Sequence, residues 1–209
     1  CFMTKLLKYA VVPILCIAVC VTVVFIVRGT GKKGGADVEL LREGAGDEEL
    51  ADYAQTVLEY LKNRDYDALA AVAHPEYGVV FSPYPTVSLS SANCFSPKEI
   101  SGFDDDRQRY AWGIYDGSGL PIEMTVEGYF ERFVMDVDFT KSSQYSVNEV
   151  SRSGNALENV KEVFPNGSFV DFYMPGQDMD INWRSLKLVF ESYEGELRLT
   201  AVIHGENTI

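Results

Sequence analysis

Two histidines, His74 and His204, are all the chain offers for proton transfer near neutral pH apart from its carboxylates. His204 follows the strand-like run Glu196–Ile203, where an inward-pointing ring would reach a pocket. The alternative is a hydrogen-bonded or exposed strand-end residue. His74 closes a helical stretch directly before Pro75 and suits a C-terminal cap interacting with the helix dipole. Asp136 and Asp138 flank Val137, and an extended backbone there would set both carboxylates on one face. Such a pair shares a proton, binds a cation, or simply holds nearby amides. His204 and Asp136 are thus the acid–base candidates of a pocket enzyme of the hydrolase or isomerase kind. No nucleophile–base constellation can be assembled around them, so the leading expectation is a site without catalytic residues.

Other suggestive residues reduce to structure. Asp104-Asp105-Asp106 and the segment from Asp116 lack the glycine at six and glutamate at twelve of a calcium loop. Asp116-Gly117-Ser118-Gly119 reads as a turn. Cys94 is the one cysteine beyond the first twenty residues and has no visible activator. No phosphate loop, nucleophile elbow or zinc spacing occurs, so no metal and no cofactor are expected. Aromatic side chains are the richer signal: twelve Tyr, twelve Phe and two Trp. Tyr84, Trp112, Tyr115, Tyr129 and Trp183, with His204, are the candidate lining of a ligand pocket. The competing reading gives the same bulk to core filling, which would make the domain a purely structural interaction module.

The elements that would position these residues follow from periodicity. Leu50, Ala54, Val57, Leu58 and Leu61 predict a helix over 47–63, with Asp47, Glu48 and Glu49 at its start. A second helix follows with Asp67 as its cap, ending before Pro75. Ser96-Pro97-Lys98-Glu99 predicts a short helix opened by a capping box, and Thr125 is expected to cap another over 126–133. Strands are expected at 78–81, 86–90, 110–115, 145–150, 168–173, 185–192 and 196–203. The last two alternate around Glu194-Gly195 and predict a hairpin. Helices first and strands afterwards indicate an α+β fold, with N-terminal helices packed on a curved antiparallel sheet.

Ahead of that domain, Tyr9–Val27 is free of charge and almost wholly apolar. It predicts a single transmembrane helix over 9–28, after a short tail at 1–8 and before a flexible linker at 29–46. Cleavage at Gly29-Thr30-Gly31 would place Arg28 in a poor context, and lipidation of Cys20 would need a smaller residue than Val19 before it. The expected topology puts the domain at 47–209 outside the cytoplasm. Its partners are then the membrane through 9–28 and a small ligand or envelope protein through the domain. Positions 1–33 hold five of the eighteen basic residues and none of the thirty-one acidic ones. The strongly acidic remainder repels phosphate backbones, so no nucleic acid is expected.

Two helices, a short connection and long strands ending in a hairpin resemble the nuclear-transport-factor-2-like, or cystatin-like, cone superfamily. The segment Tyr66-Asp67-Ala68-Leu69-Ala70-Ala71-Val72-Ala73-His74-Pro75 is similar to its helix-to-strand passage, and the Leu186–Ile203 hairpin to its final strands. A second resemblance is to uncharacterised, membrane-anchored extracytoplasmic domains of bacteria. It is carried by Gly78-Val79-Val80-Phe81-Ser82-Pro83-Tyr84, by Trp112-Gly113-Ile114-Tyr115-Asp116-Gly117-Ser118-Gly119, and by Met179-Asp180 with Trp183-Arg184-Ser185-Leu186. These resemblances imply a cone-like fold and an extracytoplasmic address, and no particular reaction.

Overall fold

A computed structural model describes residues 38–152, 154–176 and 181–207. The expected membrane span and the Met179-Asp180 pair lie outside the described residues. Among the described residues no helix is long and apolar enough to cross a membrane.

Helix α1 spans Asp47–Asn63 and buries Leu50, Ala54, Val57, Leu58 and Leu61 on one stripe. Glu49 reaches back to accept from the Gly46 amide at 3.0 Å, and Arg64 ends the helix in the left-handed region. Helix α2 covers Tyr66–Val72. Its cap is Asp65, whose Oδ1 accepts from the Ala68 amide at 3.0 Å, two residues before the expected Asp67. The Ser96 capping box opens α3, Pro97–Ile100, as its spacing requires. Thr125 caps α4, Val126–Tyr129, which runs on through one wide π turn at Phe130–Val134. A last short helix, α5, spans Val160–Val163.

The strands are β1 Val79–Ser82, β2 Asn93–Phe95, β3 Tyr110–Ile114, β4 Pro121–Met124, β5 Gln144–Val147, β6 Ser168–Met174, β7 Arg184–Tyr193 and β8 Glu196–Glu206. Six form one sheet in the order β2-β1-β8-β7-β6-β5, while β3 and β4 pair separately. The expected strand at 86–90 is instead turn and loop. The sheet is mixed rather than wholly antiparallel, because β1 lies parallel to β8 with Val80 opposite Ala201. Ala73, just past α2, already bridges Leu199 in the parallel sense, so the chain is running in the direction of β8 when it reaches β1. Glu194 and Gly195, with φ of 53° and 82°, make the tight turn between β7 and β8.

Both faces of this sheet are covered. Leu186, Leu188, Phe190, Leu199 and Val202 meet the helices in the main core. Val189, Ala201, Ile203 and Phe169 form a second cluster on the opposite face with Val160 and Phe164. Structure also begins before Asp47. Glu43 donates its amide to the Gly195 carbonyl at 2.9 Å, and Leu197 donates to Leu41 at 2.7 Å, which seats this stretch of the expected linker on the hairpin tip.

Candidate functional site

His204 and Asp136 come together. His204 is carried by the far end of β8, and Asp136 by the loop that follows the π turn. Nε2 of His204 lies 3.4 Å from Asp136 Oδ2, and Nδ1 lies 3.2 Å from the Pro83 carbonyl oxygen. Arg184, the first residue of β7, donates Nε to the same Asp136 oxygen at 2.7 Å. Its other end stands 3.4 Å from Glu206 Oε2, while Arg132 donates to Glu206 Oε1 at 2.8 Å. Phe133 meets the His204 ring edge-on at 5.6 Å, and the Arg132 guanidinium lies over Phe133 at 4.4 Å. Two carboxylates and two guanidiniums are thus interleaved around one imidazole.

In this arrangement Asp136 and Glu206 each already pair with a guanidinium. Both ring nitrogens of His204 face oxygen atoms of neighbouring groups, Pro83 on one side and Asp136 on the other. The ring is wholly buried, and neither His204 nor Asp136 lines any of the cavities described below. Burial works against ionisation of Asp136, but the bonds and charges of His204 and Arg184 outweigh it and hold the carboxyl below the usual range. Ligand atoms of Asp136, His204 and Glu206 lie within 4.8 Å of one another. Arg184 and Arg132 already pair with those carboxylates, and a divalent cation would have to displace them.

Asp138 serves different partners from Asp136. It accepts from Thr140 Oγ1 at 2.5 Å and pairs with Lys62 and Lys141, which hold its carboxyl well below the usual range. The segment between the two aspartates belongs to no strand, so the one-face arrangement is not formed. His74 is a turn anchor rather than a dipole partner. Its Nδ1 accepts from the amides of Tyr77 and Glu76 at 3.0 and 3.3 Å, and its ring stacks on Tyr77 at 4.3 Å. Burial holds its pKa below the ordinary histidine value. The Cys94 thiol donates to the Tyr77 carbonyl at 2.9 Å, and partial burial pushes it up, away from a reactive thiolate.

The candidate pocket aromatics divide into two sets. Tyr129, Trp112 and Trp183 are buried. Trp112 stacks on Tyr129 at 3.8 Å and donates Nε1 to the Met124 carbonyl, inside the main core with Phe81, Phe95 and Phe133. Tyr84 and Tyr115 are half-buried and reach the surface. Tyr84, Thr86 and Ile114 are common walls of two cavities of about 160 and 380 Å³. The first extends over Ser82, Ser88 and Ser91 to the edge of Trp112. The second extends over Tyr115, Gly117 and Asn155. Tyr84 Oη accepts from the Asp116 amide at 3.2 Å, so the turn 116–119 fixes the ring. Gly113, at φ 122°, sits where β3 and β4 shift register. That irregularity turns Ile114 outward, leaving it 61% exposed beside the groove.

Arg132, Arg184 and Glu206 were not singled out from the sequence. Glu206 lies three residues past the expected end of the last strand, and extending the alternation would have reached it.

The chain was compared with known proteins. No family model matches it, and no curated protein matches it. Solved structures that are similar at a distance include two of bacterial origin. One is a DUF4783 family protein from Bacteroides ovatus, with 8% identity over 73% of this chain and 94% of that one, at a TM-score of 0.30. The other is described as a calcium/calmodulin dependent protein kinase II association domain from Xanthomonas campestris, with 14% identity over 85% and 98%, at 0.32. The site is therefore read from its own geometry.

Proposed function

We propose that this is a binding domain of the cone type, held outside the cytoplasm by a membrane span at 9–28, that takes a flat-faced small ligand or envelope partner in the Tyr84 groove. The observation that carries this reading is the pair of cavities sharing Tyr84, Thr86 and Ile114. Their walls combine half-exposed tyrosine faces with serine and threonine hydroxyls, the mixture that accommodates a sugar or aromatic ring. Exposed Ile114, Leu120 and Leu157 supply further apolar surface on the adjoining segments. The pocket-enzyme alternative would use His204 and Asp136. Their convergence favours it, but the buried ring and its two occupied nitrogens leave no nitrogen for a substrate.

The test is an amide NMR titration of the full chain in detergent micelles with an aryl β-glucoside, which offers both ring types. Shifts should concentrate in 82–92, 112–119 and 155–156. Tyr84→Ala should weaken binding about tenfold, equivalent to ~1.4 kcal/mol. Shifts scattered elsewhere, or an unchanged affinity in the variant, would remove the groove from consideration.

A further inference from the structure

The face of the sheet turned away from the helices carries a second ionisable cluster that the groove does not use. Lys187 on β7 and Asp171 on β6 are direct cross-strand partners, and both are wholly buried. Lys187 Nζ lies 3.7 Å from Asp171 Oδ2 and 2.9 Å from Glu158 Oε2. Glu158 comes from the segment that crosses this face, and its side chain is 14% exposed. The Ser151 amide donates to Asp171 Oδ2 at 2.8 Å. Asp171 Oδ1 is buried with no hydrogen bond, and Lys187 Nζ meets the two carboxylates as ion pairs. Val189, Phe169 and Ile203 form an apolar cluster on the same face. Fully ionised, the three groups would bury two negative charges against one positive, an arrangement that costs more than neutral alternatives. Burial pushes both carboxyls up, towards their protonated forms.

We propose that Lys187 and Asp171 condense into an intramolecular isopeptide bond, with Glu158 as the proton shuttle. A proton first passes from the Lys187 ammonium to the Asp171 carboxylate it faces, and the freed lone pair of Nζ adds to Cγ of the now protonated carboxyl and forms the C–N bond. Negative charge develops on Oδ2, where the Ser151 N–H is already placed to receive it. Protonated Glu158 gives its proton to the Oδ1 hydroxyl and takes one back from the nitrogen. The C–Oδ1 bond breaks, one water leaves, and Oδ2 collapses to the amide carbonyl. Glu158 is regenerated and no oxidant, reductant or activated donor is consumed. The oxygen without a hydrogen bond is the one that departs. The product replaces a buried amine and a buried carboxyl with one neutral amide, which removes the desolvation cost that the unreacted pair carries.

Intact-mass spectrometry of the full-length chain tests this directly. The expected mass is about 18 Da below the sum of the residues, the loss of one water. Fragmentation should place the loss across Asp171 and Lys187, and Lys187 should resist trypsin. Glu158→Gln should run at full mass with an unchanged circular dichroism spectrum. A wild-type chain at full mass, or a loss of water mapped to another site such as Asp116-Gly117, overturns the bond. A Glu158→Gln chain that still loses water overturns the shuttle. The wild-type mass decides the bond even if the variant fails to fold.

Discussion

Replacing Asp136 with Asn isolates the charge at the centre of the His204 network while keeping its size. Two donors then lose a charged acceptor, Arg184 Nε at 2.7 Å and His204 Nε2 at 3.4 Å. Breaking a buried pair by removing one partner costs ~3–5 kcal/mol. Here the loss is smaller, because Arg184 keeps Glu206 at 3.4 Å and a quarter of its side chain is exposed. A cost of about 2 kcal/mol follows, or a fall in Tm of roughly 4–8 °C for a domain of this size. The pH dependence has a fixed sign. The folded-state pKa of Asp136 is depressed, so its contribution is present above the unfolded value of about 3.9 and is lost as pH falls through the folded one. Urea unfolding at pH 7 and pH 3 should therefore show a gap between wild type and Asp136→Asn that narrows in acid. A gap below about 0.5 kcal/mol at pH 7, the range of ordinary surface substitutions, would refute the reasoning. So would a gap of equal size at both pH values.

Two further perturbations test the scaffold. Gly78 has φ +70°, and an added Cβ would lie 2.5 Å from the Phe95 carbonyl oxygen, whereas Gly117 at φ +77° has open space. Chemical denaturation should show Gly117→Ala costing about 1 kcal/mol and Gly78→Ala clearly more, since only the latter adds a clash to the backbone strain. The lowered pKa of His74 means that the unfolded chain takes up its proton first. Stability should then decline as pH falls below about 6.5. In His74→Leu that slope should be shallower over pH 7 to 5, from a lower starting point because the Glu76 and Tyr77 amides lose their acceptor.

The elements with strong local signals were legible in the sequence. The stripe from Leu50 to Leu61, the Ser96 box and the alternation around Glu194-Gly195 each fix backbone geometry within a few residues. Strands β2 and β4 were not expected, because three or four residues cannot display a period and their pairing depends on distant partners. The candidate site divides in the same way. His204 and Asp136 stood out by residue type, but their guanidinium partners converge only in the folded chain. The Lys187 cluster was hidden more deeply. In a hairpin that alternates, Lys187 and Ser185 read as the solvent face, yet the segment before α5 covers that face. The unbroken buried run at Ala201, Val202 and Ile203 in β8 is the mark of a strand enclosed on both sides.

The short bridge between Arg42 and Glu196 gives the domain a mechanical polarity. Tension applied from the N-terminal side would first load the hydrogen bonds from Glu43 to Gly195, from Leu197 to Leu41 and from Ser192 to Glu43, together with the packing of Val38, Leu40 and Leu41 on the core. They sit at the turn end of β7 and β8, while the Arg184, His204 and Glu206 ties lock the opposite end of the same strands. These ties load end-on and would yield by peeling, one after another, before α1 or the sheet is pulled directly. The stretch before α1 would then act as a fuse between a pulled N-terminal side and the aromatic interior.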